Sequence, residues 1–93
     1  MTGNGSNGKL SARDLTLAAK ATVEDLTGQE AETVSALQSD GENWLVTVEV
    51  CELERVPNTT DVMASYVVQL DDAGGLLGYN RERRYLRGEA ELR

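Results

Sequence analysis

Histidine and phenylalanine are absent from this chain of 93 residues, and cysteine, proline and tryptophan each occur once. Without histidine there is no imidazole for general acid–base catalysis, for a Ser–His or Cys–His arrangement, or for most zinc sites. A lone cysteine cannot form an internal disulfide, so a disulfide-stapled extracellular scaffold is excluded. These absences predict a protein that is not an enzyme and that binds no metal or cofactor.

Long apolar segments are missing as well. No run approaches the roughly 18 residues that a membrane span needs, and the N-terminus lacks the charged and apolar regions of a signal peptide. The chain contains no glycine-rich phosphate loop, no HExxH motif and no EF-hand pattern. We therefore expect a cytoplasmic protein that contacts no membrane and takes no small-molecule substrate.

Acidic residues outnumber basic ones, 16 to 9, for a formal net charge of −7. This balance argues against nucleic-acid binding over the whole surface. Hydrophobic residues at 40% and charged residues at 27% are typical of a soluble globular chain. A chain of this length forms one domain with a single, simple core.

The first third of the chain predicts a disordered arm and then one helix. Residues 1–10 are mostly polar and rich in glycine, as disordered arms are. Ser11 and Asp14 resemble a capping box, and Gly28 stands where a left-handed C-cap is expected. We expect a helix over residues 11–27 that covers a sheet. Its apolar face comprises Leu15, Ala18, Ala19, Thr22, Val23 and Leu26.

From residue 32 onward the hydrophobic period changes from 3.6 to 2, which predicts strands. Four alternating segments are separated by turn-forming clusters: residues 33–39, 44–55, 62–71 and 76–87. Sequential strands joined by short turns favour an antiparallel meander. The sequence therefore predicts an α+β fold, with one N-terminal helix packed on a four-stranded antiparallel meander sheet in a cystatin-like roll. This single domain spans residues 11–88, and residues 89–93 form a C-terminal tail.

Several short segments follow one another in a recognisable series. They are Trp44–Val50, Glu52–Pro57, Asp61–Tyr66, Val68–Asp71, Gly75–Tyr79 and Arg81–Tyr85. The series combines a tryptophan strand, a Glu-x-x-Arg-x-Pro corner, an Ala-x-Tyr strand and an Arg-x-x-Arg-Tyr ending. In this order it resembles the gas vesicle accessory proteins of the O type, over residues 11–88.

The resemblance implies a non-enzymatic role in gas vesicle formation or assembly. The implied partners are other gas vesicle accessory and shell proteins, bound through protein–protein interaction. The implied location is the cytoplasm, either free or associated with gas vesicles. The resemblance carries over no catalytic residue.

Charge is uneven along the predicted sheet. Residues 43–78 contain six acidic residues and one arginine, whereas residues 79–88 contain four arginines and one glutamate. These arginines either pair with acids of the neighbouring strand or present a surface to a protein partner. Contact with nucleic acid, with Tyr85 stacking on a base, is a third possibility that the acidic composition disfavours.

The basic strand and the corner before it are the candidate binding surface. Strict alternation would place Arg81 and Arg83 on one face of the strand and Arg84 on the other. The preceding strand supplies acids only at its ends, Asp61 and Asp71, so some guanidinium groups should point to solvent. We predict a protein-partner surface formed by Arg55, Pro57, Arg81, Arg83, Arg84, Tyr85 and Arg87.

Two other classes of function stay open. An α+β roll can enclose a small ligand, although that needs polar groups converging inside a concave face. A regulator could bind nucleic acid through the arginine strand, and salt-dependent binding would reveal it. Asp71 and Asp72, next to a glycine pair, fit a turn better than a cation site.

Overall fold

The structure is a computed structural model, and it describes residues 10–91. Helix α1 (Ala12–Thr27) begins at Ser11, whose hydroxyl accepts the backbone N–H of Asp14 at 3.1 Å. It ends at Gly28, which adopts the left-handed conformation (φ 73°) and donates its N–H to the Glu24 carbonyl. Both ends lie where the capping residues predict them, because these caps satisfy backbone groups that a helix leaves free.

Four strands follow in chain order and form one antiparallel sheet of order β1-β2-β3-β4. Their bounds are β1 (Ala31–Asp40), β2 (Asn43–Leu53), β3 (Val62–Leu70) and β4 (Leu76–Leu86). A 3-10 turn (Asn58–Thr60) lies between β2 and β3, and a short helix α2 (Arg87–Glu91) follows β4. The α+β fold and the four-stranded meander are therefore confirmed, while the likeness to cystatins stays a prediction.

The core lies between α1 and one face of the sheet. The helix contributes Leu15, Ala19 and Val23. The sheet contributes alternate residues of its two central strands: Val46, Val48, Val50, Ala64, Tyr66, Val68 and Leu70. Because α1 packs on β1, β2 and β3, strand β4 lies at the edge of the covered area.

One residue of the predicted helix face is exposed, while Ala18 and Thr22 are half-buried. Leu26 is exposed, although a rotation of about 100° per residue points it in the same direction as Leu15. Leu26 occupies the last turn of α1, whereas Val23, one turn earlier, is fully buried. Helical spacing identifies a direction, but it does not say how far the opposing surface extends.

Both ends of the described region pack on the domain. The backbone N–H of Leu10 donates to the Asp72 carbonyl at 2.9 Å, and Leu10 packs against the core. The rest of the predicted arm lies outside the described residues. Helix α2 packs on the 3-10 turn, where a Cβ at Gly88 would lie 3.0 Å from the Thr59 carbonyl oxygen. The boundaries of the predicted domain and tail stay predictions.

Candidate interaction surface

Strand β4 is an edge strand, and most of its residues are exposed. Its register on β3 shifts between Ser65, which pairs with Arg83, and Tyr66, which pairs with Arg81. Glu82 is therefore the extra residue of a β-bulge. A bulge reverses the alternation beyond it, so Arg81 and Arg84 share the face that carries α1, and Arg83 lies on the opposite face. The strict alternation expected from the sequence is wrong here.

On the sheet face that carries α1, Glu52 forms ion pairs with both Arg81 and Arg84. Its carboxylate accepts Arg84 Nε at 2.8 Å, Arg81 Nη1 at 3.3 Å and the Tyr66 hydroxyl at 3.2 Å. The Glu52 side chain is only 9% exposed, whereas Arg81 and Arg84 are 44% and 60% exposed. Burial alone would raise the pKa of Glu52, but the hydrogen bonds from Arg84 and Tyr66 outweigh it and hold this pKa below its ordinary value. One buried carboxylate thus serves two guanidinium groups that face solvent.

On the other side of the sheet, Glu49 is buried among three hydroxyl groups. Its carboxylate accepts Ser35 Oγ at 2.6 Å, Ser65 Oγ at 2.6 Å and the Tyr85 hydroxyl at 2.8 Å. Burial, followed by the hydrogen bond to Glu49, raises the pKa of Tyr85 to about 12. The Arg83 guanidinium lies over the Tyr85 ring, 4.5 Å from its centroid. Glu49 therefore binds the Tyr85 hydroxyl, and the Tyr85 ring packs against the Arg83 guanidinium on the edge strand β4.

Arg87 makes a different kind of contact. It forms a two-pronged ion pair with Glu32 of β1, at 2.7 and 3.0 Å, and its Nε donates to Asp61 at 3.0 Å. A hydrogen bond from Arg87 is the largest cause of the lowered pKa of Glu32, and those from Glu32 and Asp61 raise the pKa of Arg87. Arg87 links the end of β4 to the opposite edge strand, so its main contacts are structural.

The predicted corner lies beside this ion cluster. Asp61 accepts the backbone N–H of Arg55 at 2.7 Å, the largest cause of the lowered pKa of Asp61. The peptide bond between Val56 and Pro57 is cis, and Val56 is fully exposed. An open depression of about 470 Å³ lies between this corner and Arg87. Arg55 and Pro57 are therefore on the surface, at the end of the sheet where β2 finishes.

The structure thus divides the predicted site residues into three groups. Arg81 and Arg84 lie on one face of β4, Arg83 and Tyr85 on the other, and Arg87 belongs to an ion cluster near the Arg55–Pro57 corner. Sequence reasoning missed the three glutamates that organise these groups, Glu32, Glu49 and Glu52. Their signal in the sequence is weak, because a glutamate on a strand is ordinarily solvated.

The described residues contain no group of three or more histidine, cysteine, aspartate or glutamate side chains placed to hold a metal ion. In that same part of the chain, no helix is both long and apolar enough to cross a membrane. Asp71 behaves as a turn residue: its carboxylate accepts the backbone N–H groups of Ala73 and Gly75 at 3.0 and 2.7 Å.

Comparison with known proteins identifies the family. Residues 2–91 match the family described as "Gas vesicle synthesis protein GvpO". The chain is 49% identical over 71 residues to "Gas vesicle protein O" of Streptomyces sp. (strain CB03234), covering 76% of this chain and 56% of that protein. It is 35% identical over 71 residues to "Gas vesicle protein O1" of Halobacterium salinarum, covering 76% of this chain and 60% of that protein.

A further relative, "Gas vesicle protein O" of Haloferax mediterranei, is 31% identical over 77 residues, which are 82% of this chain and 55% of that protein. The chain thus spans little more than half the length of the curated relatives it matches. No solved structure matches it. On the extent of the family match and on these identities, the chain belongs to the gas vesicle protein O family.

Proposed function

We propose that this chain acts in gas vesicle formation as a non-enzymatic accessory protein that binds other gas vesicle proteins through strand β4. Family membership supports the connection to gas vesicles. The binding mode is supported by the geometry of β4, an exposed edge strand that carries three arginines on an otherwise acidic chain. We also propose that the protein works in the cytoplasm, either free or on the vesicle.

The observation that carries this proposal is that two arginines on the helix side of β4 pair with only one carboxylate. Arg81 and Arg84 share the single carboxylate of Glu52, and each guanidinium group has five N–H donors. Most of those donors stay free for another carboxylate. Arginine pairs with carboxylates in a planar, two-pronged geometry, so this face suits acidic side chains of a protein partner.

Arg83 presents a third guanidinium group on the opposite face of the same strand. Its guanidinium carbon lies over the Tyr85 ring, 4.5 Å from the ring centroid. Among the side chains that the structure describes, no carboxylate lies within 4.0 Å of Arg83. Strand β4 therefore offers guanidinium groups to both sides of the sheet edge.

The test replaces Arg81, Arg83 and Arg84 together by glutamine in cells that lack the native protein. The triple variant removes both guanidinium partners of the buried Glu52 carboxylate, which keeps its hydrogen bond from the Tyr66 hydroxyl. We therefore expect a folded variant with a lower Tm. We expect these cells to form few or no gas vesicles. A folded triple variant that supports normal vesicles refutes the proposal.

Glu52→Gln is the matched control. It removes the same two ion pairs as the triple variant but leaves every arginine in place. We expect Glu52→Gln to retain vesicle formation, because the guanidinium groups remain available to a partner. If Glu52→Gln abolishes vesicles as completely as the triple variant does, the arginines act by stabilising the fold and the proposed binding role is wrong.

A further inference from the structure

Two complete rows of residues on the sheet face opposite α1 carry no charge. Residues that pair across neighbouring strands share a face, so the register of the sheet defines both rows. Charged residues make up 27% of the chain, and their absence from two full rows departs from that average. We call the two rows the neutral patch. One row is Ala36, Thr47, Val67 and Asn80, and the next is Gln38, Leu45, Gln69 and Gly78.

Within the part of the chain that the structure describes, neither helix covers the neutral patch. Helix α1 packs on the other face of the sheet, which carries the core, and α2 packs on the 3-10 turn. Leu45, Thr47 and Val67 are half-buried by their neighbours in the sheet, and Gln38 and Asn80 at its edges are exposed. The patch is therefore an open, uncharged surface with apolar side chains at its centre.

Gly78 contributes the least side chain to this surface. Its φ is not positive, although β4 bulges next to it, so the backbone there does not require glycine. A Cβ at Gly78 would have no atom within 4 Å, so packing among the described residues does not require glycine either. Glycine weakens a strand, and inside a strand it often marks a place where another backbone approaches closely. Gly78 therefore points to a second surface that closes on the patch.

The charges at the two ends of the patch have opposite signs. Asp40 and Asp71 stand two residues beyond the patch on β1 and β3, at the end of the sheet nearer the β1–β2 hairpin. Arg83 lies in the row at the other end, and no described carboxylate lies within 4.0 Å of it. Glu49 shares that row, but it is buried and accepts three hydroxyl groups. The exposed charge of that row is therefore the guanidinium of Arg83.

We infer that the neutral patch binds the same patch on a second copy of this chain, with the two sheets face to face. A two-fold axis across the strands reverses their direction in the second copy, which lays the acidic end of each copy over the Arg83 row of the other. Sheets pack in this way about 10 Å apart with their strands within about 30° of one another. The inference concerns the face opposite Arg81 and Arg84 and goes beyond the proposed function.

Other occupants fit the patch less well. A strongly charged partner finds no opposite charge in either row. Residues 1–9 of the chain itself contain Met1 as their only large apolar residue, so they offer little to bury against Leu45 and Val67. A second copy offers an equally flat and uncharged surface together with the opposite charge at each end.

Sedimentation equilibrium of the purified chain, from about 10 μM to 1 mM, covers the range of weak dimers. We expect the mass to rise toward twice that of one chain as the concentration increases. Over the same range the amide NMR signals of Thr47, Val67 and Gln69 should shift, and those of Ala21 and Asp25, on the exposed side of α1, should not. A chain that stays monomeric at the highest concentration, or shifts confined to another surface, would overturn the inference.

Gly78→Val tests the close approach without removing a contact from the monomer. Its Cβ meets open space and valine favours strands, so we expect a Tm no lower than that of the native chain. In the dimer the added side chain would stand between the two sheets, and we expect the dimer Kd to rise about tenfold or more. A folded Gly78→Val chain that dimerises as the native chain does contradicts the inference.

Gln38→Lys and Ser39→Lys form a matched pair. They are adjacent exposed residues of β1 on opposite faces, because Gln38 pairs with Leu45 and Ser39 with Trp44. Gln38→Lys places an unpaired charge on the patch of each copy, and we expect it to weaken the dimer about tenfold or more, whereas Ser39→Lys should not. This pair decides the matter if Gly78→Val loses its native NMR spectrum. Equal dimer affinities of the two lysine variants speak against the inference.

The solution measurements use the chain alone, so they separate this inference from the proposed function. If the native chain stays monomeric while the triple arginine variant abolishes vesicles, the inference fails and the proposed function stands. If the native chain dimerises as expected while the folded triple variant supports normal vesicles, the proposed function fails and the inference stands. Arg81→Gln with Arg84→Gln should dimerise normally, since both arginines lie on the other face, and a weaker dimer would overturn the inference.

Discussion

The hydrogen bond between Tyr85 and Glu49 connects β2 to the edge strand β4 on the face of the sheet opposite α1, and a double-mutant cycle measures it directly. The Tyr85 hydroxyl donates to the Glu49 carboxylate at 2.8 Å. Tyr85→Phe removes this one oxygen and keeps the ring on which Arg83 stacks. Glu49→Gln keeps the shape of the acceptor and removes its charge. The cycle compares four proteins: the native form, the two single variants and the double variant.

The expected magnitude follows from the charge of the acceptor. A hydrogen bond to a charged group contributes about 1.5–3 kcal/mol, and one between neutral groups about 0.5–1.5 kcal/mol. Tyr85→Phe should therefore cost about 2 kcal/mol in the native protein and about 1 kcal/mol in the Glu49→Gln background. For a domain of this size each kcal/mol lowers the Tm by about 4–8 °C.

Urea unfolding followed by the fluorescence of Trp44, the single tryptophan, gives the free energy of unfolding of each form. Trp44 packs against the core, so its emission reports the loss of tertiary structure. We expect a coupling free energy of about 1 kcal/mol between the two positions. If Tyr85→Phe costs the same in both backgrounds, Glu49 does not act through its charge and the reasoning is refuted.

The titration of Tyr85 provides an independent reading of the same contact. Its pKa is raised from 10 to about 12, so its contribution to stability is present below pH 10 and is lost as the pH rises through about 12. In Glu49→Gln we expect tyrosinate absorbance to show a lower pKa for this residue, still above 10 because burial remains. An unchanged titration curve would show that the carboxylate does not influence Tyr85.

Two further predictions concern the ion cluster at the end of the sheet. Arg87→Gln should lower the Tm by more than Arg83→Gln, because Arg87 contacts two carboxylates and Arg83 is exposed; equal Tm values in a thermal melt would contradict this. The pKa values of Glu32 and Asp61 are lowered from their ordinary values of 4.5 and 3.8. The two carboxylates therefore contribute stability above their ordinary pKa values, and this contribution is lost as the pH falls through the lowered ones. Urea midpoints measured from neutral to acid pH should therefore fall more steeply in the native protein than in Arg87→Gln, and parallel curves would count against the cluster.

Local sequence was sufficient to predict helix α1 and the four strands, but not the 3-10 turn or the short helix α2. Ser11 and Gly28 determine the ends of α1, because each satisfies backbone groups within its own turn. The alternation along β2 and β3 selects the face that packs on the helix, and three of the helix residues predicted to pack there, Leu15, Ala19 and Val23, do so. Short turns between consecutive strands then leave the antiparallel meander as the simplest arrangement.

The sequence alone also identified the strand that carries the arginines, but not what each arginine contacts. The expected pairing was between neighbouring strands, whereas Glu52 of β2 reaches across β3 to Arg81 and Arg84 of β4. The ion pair between Glu32 and Arg87 joins residues 55 positions apart. Contacts of this kind depend on the order and register of the strands in the sheet, and a local sequence pattern does not determine either.

The faces of β4 and the limits of the covered area were decided by tertiary structure. The bulge at Glu82 exists because β3 and β4 pair on both sides of one extra residue, and it moves Arg81 to the face of Arg84. Leu53 and Leu86 are exposed although their alternation reads like that of core residues, because α1 ends beside Glu52 and packs on β1, β2 and β3. Periodicity describes the direction of a side chain within its own element, whereas its burial depends on what the rest of the chain places against it.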